Sequence, residues 1–321
     1  MATPHDRPWL IAAWPGMGSV ALIAAGYLVQ TLRMEQSGRL PARDHFDVNE
    51  VTVKDGVLEP VRLPQGTFFQ WKNPRAGRDL VVFIGEAQPT AGTYAYAHEL
   101  LEAAAEMGIS RVVTFASMAS ALHPSENPRV SGIATDSLML EELTKAEVSP
   151  LPDGQIGGLN GVLLAAAGER NIPGMCLLAE IPFFAATVPN PKAARAALSV
   201  FSVLAGIDVS LDELNKHAAA VDRVLLEAFE KLAASESADE ESKPEESPGE
   251  APEETPNAEA ARPPISESPK LDYAARQHIE QLFAEARADL SKAMALKQEL
   301  DRRGVFKQYE DRFLDLFRRA G

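Results

Sequence analysis

Cysteine occurs once in this chain, at Cys176, and that scarcity removes intramolecular disulfides and thiolate metal clusters from consideration. Cys176 lies inside the apolar run Met175 to Ala179, where a lone thiol reads as a small buried hydrophobe. Basic clusters and interleaved aromatic stripes are missing too. Lys and Arg number 31 against 46 Asp and Glu, and the formal net charge of -15 argues against nucleic-acid binding. No apolar run reaches the length of a membrane span. The longest candidate, near the amino end, is broken by Pro15 and Gly16 and follows His5-Asp6-Arg7 rather than a clean positive leader. A cytoplasmic protein without a membrane partner is therefore expected. The 6 histidines are scattered with no helical or hairpin ligand spacing, so no metal site is expected. Neither glycine-rich turn ends in the Gly-Lys-Ser/Thr of a phosphate loop, and Ser117 lacks the flanking glycines of a nucleophile elbow.

What the sequence does hold is organised around Trp9 to Leu32. A short apolar run stops at Pro15-Gly16-Met17-Gly18 and resumes at helical length from Ser19. An apolar run without alternation implies a strand covered on both faces, hence a parallel sheet between helices. Ser19 is placed to cap the helix that follows the glycine turn. Gly16-Met17-Gly18-Ser19-Val20-Ala21 also fits the loose dinucleotide fingerprint. That reading needs an acid at the end of a second strand, and Glu35 sits in a polar, turn-rich segment where none is expected. A glycine turn that merely packs a helix onto a sheet stands beside the nucleotide reading.

Further along, His45 to Val53 and Val57 to Trp71 read as exposed or edge strands with hairpin-type turns. Asp79 to Glu86, Arg111 to Ala116 and Met175 to Ile181 read as central strands. Thr93 to Met107 is an amphipathic helix ended by Gly108, and Asn190-Pro191 opens another with proline at its first position. Ser117 to Thr135 is rich in turn residues and reads as a long, functional kind of loop. Gly157-Gly158-Leu159-Asn160-Gly161 is a second glycine turn, feeding a helix from Val162 to Glu169. Asp208 and Asp212 lead into a helix ending near Ala234. Alternation of this kind predicts one α/β domain over residues 1–234, a mostly parallel sheet with helices on both faces.

From Ser235 to Pro269 the composition shifts to Glu, Ser, Pro and Ala, with eleven acids against Lys243 and Arg262. Such a stretch buries too little surface to offset its ordering entropy, so residues 235–269 are expected to form a disordered acidic linker. Residues 270–321 are expected to form a C-terminal helical arm, with one long helix from Leu271 to Leu300 and a second short stripe beyond Gly304. Its apolar side chains, among them Ile279, Leu282, Leu290, Leu300, Phe306, Phe313 and Phe317, are candidates for binding a partner or a sister chain.

Ligands of open α/β sheets bind beyond the carboxyl ends of the strands. The candidates there are Gly16, Gly18, Glu86, Gln88, Ser117, Ser120, His123 and Glu180. Glu86 and Glu180 could form an acid/base pair, or each could cap loop amides or bind a neighbouring chain. No residue is assigned a catalytic role, and no cofactor is implied.

Several segments together resemble the PAC2 family, the proteasome assembly chaperone 2 type. They are Trp14-Pro15-Gly16-Met17-Gly18, Gly85-Glu86-Ala87-Gln88-Pro89, and the ordered series Gly158-Leu159-Asn160-Gly161-Val162-Leu163-Leu164, Gly174 through Pro182, and Asn190-Pro191-Lys192-Ala193-Ala194. The resemblance spans roughly residues 8 to 230 and leaves the acidic linker out. It implies a fold like that of nucleoside phosphorylases, homo-oligomers (a trimer among them), and a chaperone role on proteasome subunits rather than catalysis. Relatives that dock into proteasome ring pockets end in a hydrophobic-Tyr-any tripeptide, whereas this sequence ends Arg319-Ala320-Gly321. A non-catalytic oligomeric scaffold or assembly chaperone is one expectation. A small-molecule binding protein or enzyme, taking a nucleotide or nucleoside at the strand ends, is the other.

Overall fold

The computed structural model describes residues 7–240, apart from Ala42, Asn49, Ala76, Pro152, Gly154 and Gln155, and residues 273–318, apart from 289–291 and 304. The chain divides into two compact units, Met1–Leu225 and Leu226–Gly321.

In the first unit the elements run β1 (Trp9–Ala13), α1 (Val20–Thr31), β2 (Glu35–Pro41), β3 (Val53–Lys54), β4 (Val57–Leu58), β5 (Gln65–Trp71), β6 (Leu80–Gly85), α2 (Thr93–Glu106), β7 (Arg111–Ser120), β8 (Val130–Ala134), α3 (Ser137–Lys145), β9 (Ser149–Pro150), α4 (Gly158–Glu169), β10 (Gly174–Pro182), α5 (Pro191–Ala205) and the start of α6 (Asp212–Glu240). Eight strands make one sheet in the order β2-β5-β6-β1-β7-β10-β8-β9, while β3 and β4 form a separate pair. The four central strands β6, β1, β7 and β10 are mutually parallel; β5 and β2 add antiparallel to one side and β8 to the other.

The expected sandwich is realised because the central strands are apolar on both faces. Leu10, Ala12, Trp14, Phe68 and Phe83 pack toward α2 and α4 with Tyr96, Leu100 and Leu163. On the opposite face Trp9 meets Phe201 of α5, and α1 packs beside α5. Asn190 caps α5 through an Oδ1 that accepts from Ala193 N at 2.9 Å, with Pro191 at the first helical position, as the sequence indicates.

Four local expectations are corrected. Glu35 to Gly38 is not a turn: it opens β2, an edge strand held only by β5. Backbone pairing needs no apolar side chains when one edge and one face meet solvent. Ser117 to Ser120 and Val130 to Ala134 are strand rather than loop, because the long β10 offers a ladder on both of its edges and recruits each segment. Ser19 does not cap α1 with its side chain; it sits in the left-handed region, with φ 49°. The helix from Asp212 runs to Glu240 instead of stopping near Ala234, since Ser235 to Glu240 hold neither proline nor glycine. The remainder of the expected linker, residues 241–269, lies outside the described residues.

In the second unit the helix expected from Leu271 to Leu300 is two helices, α7 (Tyr273–Ala288) and α8 (Ala293–Arg302), followed by α9 (Phe306–Arg318). The spacing of apolar residues cannot reveal a reversal, but packing requires one. α7 lies against both α8 and α9, with Phe283 facing Tyr309 at 5.8 Å between ring centroids. Phe313 contacts both Phe306 and Phe317. Ile279, Phe283, Leu296, Leu300 and Phe313 are fully buried.

Candidate functional site

The parallel strands end on one side of the sheet, and the loops there carry the sequence-derived candidates. The glycine turn is pinned at Gly18, while Gly16 is exposed. Gly18 has a left-handed φ of +60°, and a Cβ there would lie 3.3 Å from Asn190 Cβ and 3.4 Å from Ile181 Cδ1. Its N–H donates to Ala186 O at 2.6 Å and its carbonyl accepts from Asn190 N at 2.7 Å. Ser19 N donates to Gly16 O, and Val20 N to Met17 O. Ser117 Oγ of β7 donates to Met17 O at 2.7 Å. Anion cradles at helix starts work by leaving amides unpaired. Here the Gly18, Ser19 and Val20 amides are all spent on the protein's own carbonyls.

Gln88 joins the two glycine turns. Its Nε2 donates to Pro15 O at 2.9 Å, and its Oε1 accepts from Leu159 N at 3.1 Å at the first turn of α4. It thereby supplies the acceptor that α4 lacks at its N-cap, where Gly157 has no side chain to offer.

Glu86 follows β6. Its carboxylate accepts from Arg62 Nη2 at 2.6 Å and from Gln65 N at 3.2 Å, tying the chain that enters β5 to the end of β6. Glu180, in β10, is mostly buried and accepts from Arg129 N at 3.2 Å, with Arg129 Nε at 3.7 Å. Strands β6 and β10 are separated by β1 and β7. Three strand spacings put the two acids about 14 Å apart. The structure thus gathers Gly16, Gly18, Gln88 and Ser117 around one turn and places Glu86 and Glu180 on opposite sides of it.

The other polar candidates are engaged locally. Ser120 Oγ accepts from Leu122 N, and His123 Nδ1 lies 2.6 Å from Ser125 Oγ. Among the described residues no group of three or more His, Cys, Asp or Glu is arranged to hold a metal. Cys176 is buried, and burial pushes its thiol up to about 12. Burial likewise pushes the Tyr96 phenol to about 12. No helix among the described residues is long and apolar enough to cross a membrane.

Two contributors escape the motif reading. Asn190 reads only as a helix cap, yet its backbone also pins Gly18; the adjoining Pro191 gives no hint of that second duty. His45 reads as a strand residue, yet it is buried, with Nε2 2.9 Å from Glu99 and its carbonyl accepting from Thr90 N and Ala91 N. Of the arm residues, Ile279, Leu300 and Phe313 are buried and Leu282, Phe306 and Phe317 half-buried, while Leu290 lies outside the described residues.

The PAC2 family model matches residues 10–228. An uncharacterised protein of Methanocaldococcus jannaschii is 28% identical over 225 residues, covering 69% of this chain and 83% of that protein. Among solved structures, an archaeal proteasome activator from Pyrococcus furiosus superimposes with a TM-score of 0.60 at 25% identity, over 71% of this chain and 96% of the activator. A PAC2 family protein from Streptomyces avermitilis gives a TM-score of 0.61 at 25% identity, over 72% and 98% of the two chains.

Proposed function

This chain belongs to the PAC2 family, and we propose that it works without catalysis, as a self-associating scaffold or assembly chaperone whose protein partners include proteasome subunits. One observation carries the reading. At the place where open α/β folds bind ligands, the Gly18, Ser19 and Val20 amides, Gln88, Ser117, Glu86 and Glu180 each hold the protein's own loops. A site spent on rigidity suits a platform for other chains. The similarity to an archaeal proteasome activator supports the choice of partner. On this reading residues 1–234 form the body of the scaffold. The arm, residues 270–321, is the element that engages the partner through the apolar residues Ile279, Leu282, Leu290, Leu300, Phe306, Phe313 and Phe317, of which Ile279, Leu300 and Phe313 are buried and Leu282, Phe306 and Phe317 half-buried.

The test is reconstitution. The full chain is mixed with proteasome subunits of the same organism, as single subunits and as assembled rings, and the complexes are sized by native mass measurement. A stable co-migrating complex, weakened by deletion of residues 270–321, is the expected result. Absence of any complex, together with thermal stabilisation by nucleotides, nucleosides or phosphate, would overturn it in favour of a small-molecule function at Gly16, Gly18, Glu86, Gln88 and Glu180. A ligand at 100 times its dissociation constant adds about 2.7 kcal/mol, well within reach of a melting experiment.

A further inference from the structure

No basic cluster is present in the sequence, but the fold assembles one from separate segments. Glu35 pairs with Gln70, Trp71 with Leu80 and Leu80 with Trp9, all at the end of the sheet where its parallel strands begin. Arg33 before β2, Lys72 after β5, Arg78 before β6 and Arg7 before β1 therefore stand at one end of four neighbouring strands, and Arg75 lies in the turn between β5 and β6. Three strand spacings make the row about 14 Å long. Arg7, Arg33, Lys72 and Arg75 are exposed and Arg78 is half-buried. Among the described residues none of the five is in an ion pair. The acids within the same turns are Glu35 and Asp79, and Asp79 Oδ1 already accepts from Asn73 N at 2.8 Å. The adjoining Arg111, at the start of β7, differs, because Glu142 accepts from its two Nη atoms at 2.6 and 3.1 Å. In a chain of formal net charge -15 this excess of cations is opposite in sign to the whole.

Arg78 is held in place. Its guanidinium lies 3.9 Å from the Trp9 ring, which Arg111 also approaches to 4.2 Å, and its Nη1 donates to Ala205 O at 3.2 Å at the end of α5. Burial, and after it the Arg111 charge, lowers Arg78 from its ordinary value. A fixed guanidinium in that setting, with donors to spare, gains from a carboxylate brought to it. Arg33 occupies the position just past the C-cap of α1 at a left-handed φ of 52°, where glycine or asparagine would cost less.

We propose that this end of the sheet docks an acidic polypeptide segment of a protein partner, with Arg78 as the fixed anchor and Arg7, Arg33, Lys72 and Arg75 as the surrounding cations. The surface belongs to the first unit and is separate from the contact assigned to the arm above. Charge and length set the occupant. Cations without acidic partners are complementary to carboxylates. A row of about 14 Å takes four or five extended residues at about 3.3 Å each, whose alternate side chains, about 7 Å apart, reach cations along it. Nucleic acid fits less well, since the net charge of -15 repels it and the Trp9 ring under the guanidinium groups, 2% exposed, is closed to base stacking.

The experiment uses the full chain. Fluorescence anisotropy follows a labelled peptide of alternating Glu and Ser, about ten residues long, and the same peptide with Gln for Glu, at about 20 mM and about 200 mM salt. Wild type is expected to bind the Glu peptide at low salt, to release it at high salt and to ignore the Gln peptide. A Lys72→Glu, Arg75→Glu variant should weaken binding at least about tenfold, having lost two exposed ion pairs and gained two like-charge contacts. A Lys54→Glu, Arg223→Glu variant makes the same charge change at exposed positions outside the row and should stay within about twofold of wild type. Lys72→Gln with Arg75→Gln, expected to cost about threefold, decides the matter should the charge reversal disturb folding. No binding of the Glu peptide, or equal losses in the two reversal variants, would overturn the site. Tighter binding of single-stranded DNA, displacement of the peptide by millimolar phosphate in a manner that ionic strength alone does not reproduce, or binding that emerges only after the glutamates between residues 241 and 267 are changed to Gln, would overturn the protein partner as occupant.

Discussion

Removing the Gln88 side chain tests whether the strand-end residues are structural. Gln88→Ala deletes two hydrogen bonds, to Pro15 O and from Leu159 N, and so disconnects the β1 turn from the start of α4. At about 0.5–1.5 kcal/mol for each bond, the loss is about 1–3 kcal/mol. For a unit of this size each kcal/mol lowers the melting temperature by about 2–4 °C, so the centre of that range predicts a fall of about 4–8 °C. Gln88→Glu is the sharper perturbation. It keeps an acceptor for Leu159 N but sets a carboxylate oxygen against the Pro15 carbonyl, replacing a donor with a repulsion. The charged form is the disfavoured one, so the introduced carboxyl group binds its proton more tightly in the folded state than at the ordinary value of about 4.3. Its deficit against wild type should then be largest at neutral pH and shrink as the solution is acidified and the protonated group regains a donor for Pro15 O. Calorimetric melts of the three proteins at pH 7 and near pH 4.5 are the assay. A Gln88→Ala melting temperature within about 1 °C of wild type, with no pH dependence in the Gln88→Glu deficit, would refute the clamp and leave Gln88 free to meet a ligand.

Gly18→Ala forces a left-handed φ on a residue with a Cβ, 3.3 Å from Asn190 Cβ, and should cost about 1–2 kcal/mol or more in a denaturant titration; unchanged stability would contradict the observed turn. Cys176, its thiol raised to about 12 by burial, should react with an aromatic disulfide reagent only after denaturant unfolding, so prompt labelling of the native chain would count against its placement. In the arm, the Arg302 and Arg303 side chains hold the Glu299 carboxyl down to about 2. A depressed carboxyl contributes stability above its unfolded value of about 4.5 that is lost as pH falls toward 2; with solvent screening this amounts to about 1 kcal/mol or less. Glu299→Gln should flatten the acid-side loss of helicity between those limits, and an identical acid profile in the variant would remove the carboxylate from the account.

Sequence by itself determined the parallel core. Leu10 to Ala13, Leu80 to Gly85 and Met175 to Ile181 are apolar without alternation, and only a sheet covered on both faces can bury them. Asn190-Pro191 specified the start of α5 because capping is a local matter. The ordered glycine segments were enough to suggest the PAC2 family that residues 10–228 match. Tertiary structure alone decided what lies beyond the reach of local pattern. Glu35 to Pro41 became a strand because β5 lay beside it with free backbone groups, a partnership that side-chain periodicity does not encode. The break between α7 and α8 arose because Phe283 had to meet Tyr309 on α9, and a helical repeat looks the same on either side of a reversal. The polar residues of the candidate site were visible as residue types, but their partners were not. Whether the Gly18 amide faces a ligand or the Ala186 carbonyl depends on segments 168 residues apart being brought within 2.6 Å, and only the packing of α1 and α5 on one face of the sheet does that.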